Sequence, residues 1–111
     1  MTLNFAFFNL ETPCGGLPLL TIDGTVIAQS VAVARFLARE CKLDGHSNVQ
    51  KAQADMIVDC VTDCFLAFVP EKEGKPSNFK DETLPKTVKL LESLLKANGG
   101  NHFVGCGVNL Y

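Results

Sequence analysis

The sequence predicts a chain of mixed class, in which an α/β segment is followed by an all-α segment. Two short β-rich runs, 17–22 and 25–28, flank the dipeptide Asp23-Gly24, which is a strong signal for a two-residue hairpin turn. From about residue 30 onward the apolar residues recur at helical spacing instead, in three stretches separated by turn-forming residues. The 111 residues are enough for one modest domain, yet the hairpin and the helices look like parts of two different layers.

The first predicted helix begins at Ser30, directly after the second strand. A serine hydroxyl at a helix start can accept hydrogen bonds from the first free amide groups, so Ser30 is the predicted N-cap. One apolar face then follows at helical spacing, formed by Ala34, Leu37, Ala38 and Cys41.

A turn at 43–46 separates the first helix from the second and is the predicted domain boundary. The two predicted parts are residues 1–45, which are α/β, and residues 46–111, which are helical. After the turn, Ser47 to Gln50 has the S-x-x-Q form of a capping box, which is typical of a helix start.

The second helix is predicted to end at Pro70, because a proline removes the hydrogen bond that would continue the helix. The polar stretch 71–81 then predicts a mobile connection. A third helix is predicted from about Thr83, with Pro85 in its first turn, where proline is favoured. This helix is expected to bury Leu84, Val88, Leu91 and Leu95.

Charge and cysteine content exclude several classes of partner. A net charge of -2 and a pI near 5.6, without a cluster of Lys or Arg, predict neither nucleic-acid nor anionic-membrane binding. The five cysteines form no CxxC pair and no zinc-ligand spacing, so we expect reduced, mostly buried thiols in a cytoplasmic protein. The apolar stretch from Phe5 to Leu10 is too short to span a membrane. Small molecules or another subunit are the expected partners.

The arrangement that is most informative about function is Leu17-Pro18 at a strand start, followed across the hairpin by Gln29-Ser30 at a helix start. A strand end before a proline, especially a cis proline, leaves the backbone of Leu17 available to an extended peptide. A helix start offers free amides, the positive end of the helix dipole and here a hydroxyl, which together favour a carboxylate. Gln29 lies between two small residues and has no evident packing role, so it is the stronger functional marker.

These residues resemble a known family, the sigma-class cytosolic glutathione transferases of invertebrates. The resemblance is carried by the stretches 15–20, 23–24, 27–30 and 35–39. It implies that the hairpin and the first helix are part of a thioredoxin-like, glutathione-binding domain. The later helices, including the G-G-x-x-F-V-G stretch that ends at Gly105, are similar to part of the family's all-helical C-terminal domain.

The resemblance implies a glutathione site. Leu17 would pair through its backbone with the cysteinyl part of glutathione, and Pro18 would form the cis turn. Gln29 and Ser30 would hold the γ-glutamyl carboxylate. Asp63 matches an aspartate that reaches the γ-glutamyl amine of glutathione in the opposite subunit. The implied function is conjugation of glutathione, as co-substrate, to an electrophilic small molecule by a homodimer.

The sequence departs from the family's pattern at both ends. The family's first strand and first helix carry the tyrosine that stabilises the glutathione thiolate, and they have no counterpart here, where Tyr111 is the only tyrosine. No catalytic residue is therefore assigned. Gly16 stands where a glutamine or lysine would help to hold the glycyl carboxylate. We expect a form that is truncated at both ends and is incomplete or inactive as an enzyme.

Other interpretations of the chain stay open. Within the family, a glutathione-dependent isomerase of the prostaglandin-synthase type uses the same site. From another class, a degenerate fold can serve as a non-catalytic binding or dimerisation module, which Gly16 and the missing tyrosine favour. Asp55, Asp59 and Asp63 recur on one helical stripe, but such carboxylates are usually solvated, so no metal site is predicted. Cys14 has no nearby histidine or CxxC partner and is interpreted as an ordinary thiol.

Overall fold

The computed structural model describes residues 1–6 and 14–106 of the chain. In chain order the elements are β1 (Leu3–Ala6), β2 (Leu19–Ile22), β3 (Thr25–Ala28), α1 (Ser30–Glu40), α2 (Asn48–Lys72), a π-helical turn (Phe79–Thr83) and α3 (Leu84–Ala97). The chain divides into two compact units between Leu43 and Asp44. The first unit is α/β and the second is helical, which confirms the predicted fold class.

The first unit is built on an antiparallel sheet with the strand order β1-β2-β3. Asp23 and Gly24 form the predicted hairpin turn, with φ angles of 47° and 84°. The sequence did not predict β1, which pairs with β2 from Leu3 opposite Ile22. The Asp23 carboxylate accepts a hydrogen bond from the Thr2 amide at 2.9 Å, and the Asp23 amide donates to the Thr2 carbonyl at 3.3 Å. These two bonds attach the start of β1 to the hairpin turn.

Helix α1 packs on β2 and β3. The small core of this unit contains Val33 and Ala38 from the helix, together with Leu20, which is fully buried in the central strand. Cys41 was predicted on the apolar face of the helix but lies just beyond it and is exposed, because α1 ends at Glu40 and Cys41 is its C-cap.

Helix α2 begins as the sequence predicts. Ser47 is the N-cap, and its hydroxyl oxygen accepts a hydrogen bond from the Gln50 amide at 3.2 Å. The Gln50 side-chain oxygen accepts a hydrogen bond from the His46 amide at 2.9 Å. In the standard capping box this bond comes from the amide of the N-cap itself, which here is Ser47, one residue later. Both ends of the motif therefore stabilise the start of the helix.

The region after this helix differs from the prediction. Helix α2 continues past Pro70 and ends within the next turn, because backbone amides after the proline still donate helical hydrogen bonds, as Glu73 does to the Val69 carbonyl at 3.1 Å. The following segment is anchored rather than open, since Phe79 is only 8% exposed and its ring lies 5.2 Å from that of Phe68 at a tilt of 54°. Lys80 Nζ lies 2.9 Å from a Glu71 carboxylate oxygen, and this hydrogen bond raises the pKa of Lys80.

Helix α3 has its proline in the first turn, as predicted, but none of its residues is buried. Leu84 and Val88, which were predicted to be buried, are 39% and 54% exposed. They lie on an almost wholly apolar groove between α2 and α3 with a volume of about 260 Å³. We call it the apolar groove, and its lining residues are Val61, Cys64, Phe65, Phe68, Phe79, Leu84, Thr87, Val88 and Leu91.

The thiols are more accessible than predicted. All five cysteines are free; Cys60 and Cys64 are half-buried, and Cys14, Cys41 and Cys106 are exposed. The expectation of mostly buried thiols is therefore wrong. Within the described part of the chain, no helix has the length and apolarity needed to cross a membrane.

Candidate functional site

The β2–β3 hairpin brings together the two dipeptides that the sequence singles out. In the antiparallel register Leu19 lies opposite Ala28. When this register is continued outward, Leu17-Pro18 comes to lie opposite Gln29-Ser30. All four residues therefore lie at one end of the sheet, and the Asp23-Gly24 turn lies at the other end.

On the β2 side, the peptide bond between Leu17 and Pro18 is cis, as the resemblance implies. β2 begins only at Leu19, so Leu17 lies just outside the strand, and its side chain is 46% exposed. An extended peptide can pair with backbone groups in such a position at the end of a sheet.

On the α1 side, the helix start differs from the prediction. The N-cap is Gln29, whose carbonyl accepts the first helical bond from the Val33 amide at 3.0 Å. Ser30 is the first helical residue, so the prediction that Ser30 is the N-cap is wrong. The reason is that a single residue joins β3 to α1, and the helix must therefore begin at once.

Gln29 has an unusual backbone conformation, with φ of 76° and ψ of 116°. Residues with a Cβ rarely adopt this region, and holding one there costs about 1 to 3 kcal/mol. The Gln29 side chain makes no capping hydrogen bond and is exposed. Strained residues of this kind are concentrated at ligand-binding sites. The sequence indicated Gln29 as a functional marker but not its conformation.

The start of α1 is electrostatically suited to an anion. The helix has eleven residues and carries no acidic side chain in its first turn. Its free amide groups and the positive end of its dipole are therefore not neutralised by the helix itself. A carboxylate at this position would receive hydrogen bonds from backbone amides and from the exposed Ser30 hydroxyl.

One predicted site residue belongs to a different unit from the four residues at this end of the sheet. Asp63 lies on α2, in the second unit, and is exposed. No group of three or more His, Cys, Asp or Glu side chains in the described ranges is placed to hold a metal ion. Gly16 is exposed, and a Cβ built there meets no atom of the described residues within 4 Å, so a side chain can be added at this position.

The chain is similar in sequence to known proteins. The family model "Glutathione S-transferase, C-terminal domain" matches residues 54–109. The chain is 38% identical over 109 residues to Glutathione S-transferase 1 of Ascaris suum, which covers 88% of this chain and 53% of that relative. It is also 40% identical over 85 residues to Hematopoietic prostaglandin D synthase of Gallus gallus, with 74% of this chain and 43% of the relative covered.

A solved structure agrees with these matches. The crystal structure of the glutathione S-transferase from Ascaris lumbricoides aligns with a TM-score of 0.76 at 33% identity, covering 88% of this chain and 53% of that chain. The chain spans about half the length of the curated relatives it matches. The sequence match to the helical region and the structural match across both units show that the chain belongs to the glutathione transferase family.

Proposed function

We propose that this chain supplies the glutathione-binding part of a sigma-like glutathione transferase, which joins glutathione to electrophilic small molecules. The observation that supports the proposal is the β2–β3 register, in which Leu19 lies opposite Ala28. Leu17-Pro18 comes directly before this pair in the sequence, and Gln29-Ser30 comes directly after it. The family model matches the helical region, whereas these residues lie before it. The register therefore supports the site independently of that match.

In the proposed complex, glutathione lies as an extended peptide beside Leu17. Its cysteinyl part pairs with the backbone amide and carbonyl of Leu17. Its γ-glutamyl carboxylate lies at the start of α1, where the Ser30 hydroxyl, the first amides and the Gln29 side chain donate hydrogen bonds. Each hydrogen bond to this charged group contributes about 1.5 to 3 kcal/mol.

The chemistry is nucleophilic attack by the glutathione sulfur. The thiolate forms a bond to an electrophilic carbon, and the leaving group departs with the electron pair of the bond that breaks. The residues of this chain contribute by fixing the peptide on both sides of the cysteine, which holds the sulfur in one place. No residue of this chain is assigned to stabilising the thiolate, and Tyr111 lies outside the described residues.

The site can be tested by titrating the isotope-labelled chain with glutathione and following its backbone amide resonances by NMR. We expect saturable shifts at Leu17, Gln29 and Ser30. The dipeptide Cys-Gly, which lacks the γ-glutamyl group, should shift Gln29 and Ser30 much less. If glutathione moves these amides no more than those of α3, the proposed site is wrong.

We further propose that Asp63 contacts the γ-glutamyl amine of glutathione bound by the opposite subunit of a homodimer. Support comes from its exposed carboxylate on α2 and from its match to the family's aspartate. Asp63→Asn should weaken glutathione binding at protein concentrations where the chain is dimeric and leave it unchanged where the chain is monomeric. Asp81→Asn, at another exposed carboxylate, is the matched control. An equal loss in the monomer would contradict the role across subunits.

We propose a reducing compartment, the cytoplasm, as the location of the protein. The support is that all five cysteines are free thiols, three of them exposed. Exposed thiols are oxidised or paired in oxidising compartments. Labelling with a thiol reagent directly on cell lysis should therefore modify Cys14, Cys41 and Cys106.

A second candidate function is a glutathione-dependent isomerase. The similarity to Hematopoietic prostaglandin D synthase, at 40% identity over 85 residues, is the observation that favours it. It would use the same site at Leu17 and Ser30. A third candidate, a non-catalytic binding or dimerisation module, is favoured by Gly16, which offers no side chain to hold the glycyl carboxylate. If the chain binds glutathione but turns over neither electrophiles nor an isomerase substrate, the non-catalytic module is the correct function.

A further inference from the structure

Cys60 and Cys64 form a pair of thiols on α2, one helical turn apart. A spacing of four residues places the two Cβ atoms on the same face of the helix, about 5 to 6 Å apart. Both thiols are free and half-buried, so they are accessible without being fully solvated. They are the two cysteines of the described ranges that share a helix, and neither belongs to the proposed glutathione site.

The apolar groove adjoins one member of this pair, because Cys64 is one of its lining residues. Phe65, Phe68 and Phe79 also line the groove, which has a volume of about 260 Å³. An apolar cavity of about 150 Å³ is large enough to hold benzene. Cys64 therefore lies on a recess that has room for one aromatic ring, and Cys60 lies one helical turn before it.

We propose that Cys60 and Cys64 chelate compounds of trivalent arsenic that carry one apolar substituent, with that substituent in the apolar groove. Arsenic(III) is a soft centre that prefers thiolate sulfur. In the binding step each thiol loses its hydrogen, two sulfur–arsenic bonds form, and the oxygen on arsenic leaves as water. No electrons are transferred, so no oxidant or reductant is needed.

The pair is favoured over a single thiol because the helix holds both side chains on one face. Once the first bond has formed, the second thiol is present at a high effective concentration, and the adduct is retained about a hundredfold better than on one cysteine. A tetrahedral zinc ion is a poorer fit, because it takes four ligands and the described residues contain no group of three.

The proposal can be tested on the full chain with phenylarsine oxide as the probe, in the presence of excess N-acetylcysteine as a competing monothiol. Trypsin releases peptide 52–72, which contains Cys60 and Cys64 and no other cysteine. We expect one phenylarsenic group on this peptide, in place of two thiol hydrogens, which dithiothreitol removes and N-acetylcysteine does not. An adduct on a different peptide of the chain without substitutions would overturn the proposal. The absence of any adduct would also overturn it.

Variants test the thiol pair and the apolar groove separately. Cys60→Ala and Cys64→Ala should each lower retention about a hundredfold, whereas Cys41→Ala should leave it unchanged. Phe65→Ser keeps both thiols and should reduce the preference for a phenyl over a methyl arsenical. Far-ultraviolet circular dichroism checks that α2 remains folded. If folded Cys60→Ala retains the probe as well as the parent chain does, the pair is not the site.

Discussion

The backbone of Gln29 carries a cost that glycine would not have. Its φ of 76° is unfavourable for any residue with a Cβ. Gln29→Gly should therefore be more stable than Gln29→Ala by about 1 kcal/mol, measured as the free energy of unfolding in urea. Both variants lose the side chain and should lose glutathione affinity. A glycine variant that is less stable than the alanine variant would show that this conformation is not strained.

Asp44 is a second residue whose surroundings determine how much it contributes to the free energy of unfolding. It is 5% exposed, and its carboxylate lies 3.1 Å from Lys51 Nζ. Lys51→Met should lower the free energy of unfolding by about 1 to 2 kcal/mol, because a buried carboxylate loses a charged partner. The control is Lys75→Met, which breaks an ion pair with Glu73 at the surface and should cost less than about 1 kcal/mol. Equal effects of the two substitutions would mean that burial of Asp44 is unimportant.

At the level of single elements, the start of α2 depends on its N-cap. Ser47→Ala removes the acceptor for the Gln50 amide and should destabilise the chain by about 1 kcal/mol. Ser93→Ala on α3 is the matched control, since Ser93 bonds only to the carbonyl of Lys89 within an exposed helix face. Alanine has the higher helix propensity there, so this variant should be neutral or slightly stabilising. Thermal unfolding followed by circular dichroism distinguishes the two.

The segment between α2 and α3 depends on one aromatic residue. Phe79→Ala removes a buried ring and its contact with Phe68, and should lower the free energy of unfolding by about 3 kcal/mol. Phe103→Ala, at a ring that is 40% exposed, should cost less than half of this. If the two variants unfold at the same denaturant concentration, Phe79 does not anchor the segment.

The elements that could be predicted from the sequence are those fixed by local chemistry. Asp23-Gly24 defines a turn, and the Ser47 hydroxyl defines a helix start, because each acts within four residues. β1 could not be predicted, since its pairing partners are 13 to 19 residues away and residues 1–6 carry no turn or capping signal. The buried position of Phe79 was missed for a related reason, because its ring packs on another helix. At Ser30 the local rule failed because the connection from β3 is too short for a separate cap.

For the molecule as a whole, the apolar groove predicts self-association. Phe65 is 62% exposed beside other apolar residues of the groove, and an exposed patch of this kind favours contact with another apolar surface. Phe65→Glu should therefore reduce self-association in sedimentation velocity and reduce binding of a hydrophobic dye. Leu66→Glu is the control, because Leu66 is 60% exposed but does not line the groove. A chain that is already monomeric and binds no dye would contradict the prediction.

For the molecule as a whole, the sequence predicts only part of the arrangement of the candidate site and of the apolar faces. The hairpin alone requires that residues before β2 and after β3 meet, so the proximity of Leu17-Pro18 and Gln29-Ser30 was predictable. Helical periodicity identified which faces of α2 and α3 are apolar. It could not show that these faces remain exposed, because periodicity reports the preference of a side chain and not the presence of a covering layer.

The bonds between Thr2 and Asp23 determine how the chain can be immobilised. They hold the beginning of β1 at the hairpin turn, where β2 ends, and the other end of the sheet lies about 13 Å from that turn. A linker fused ahead of Met1 therefore emerges at the turn end of the first unit. A sensor surface that captures the protein through such a linker holds it by the end of the sheet that lies away from Leu17 and Ser30.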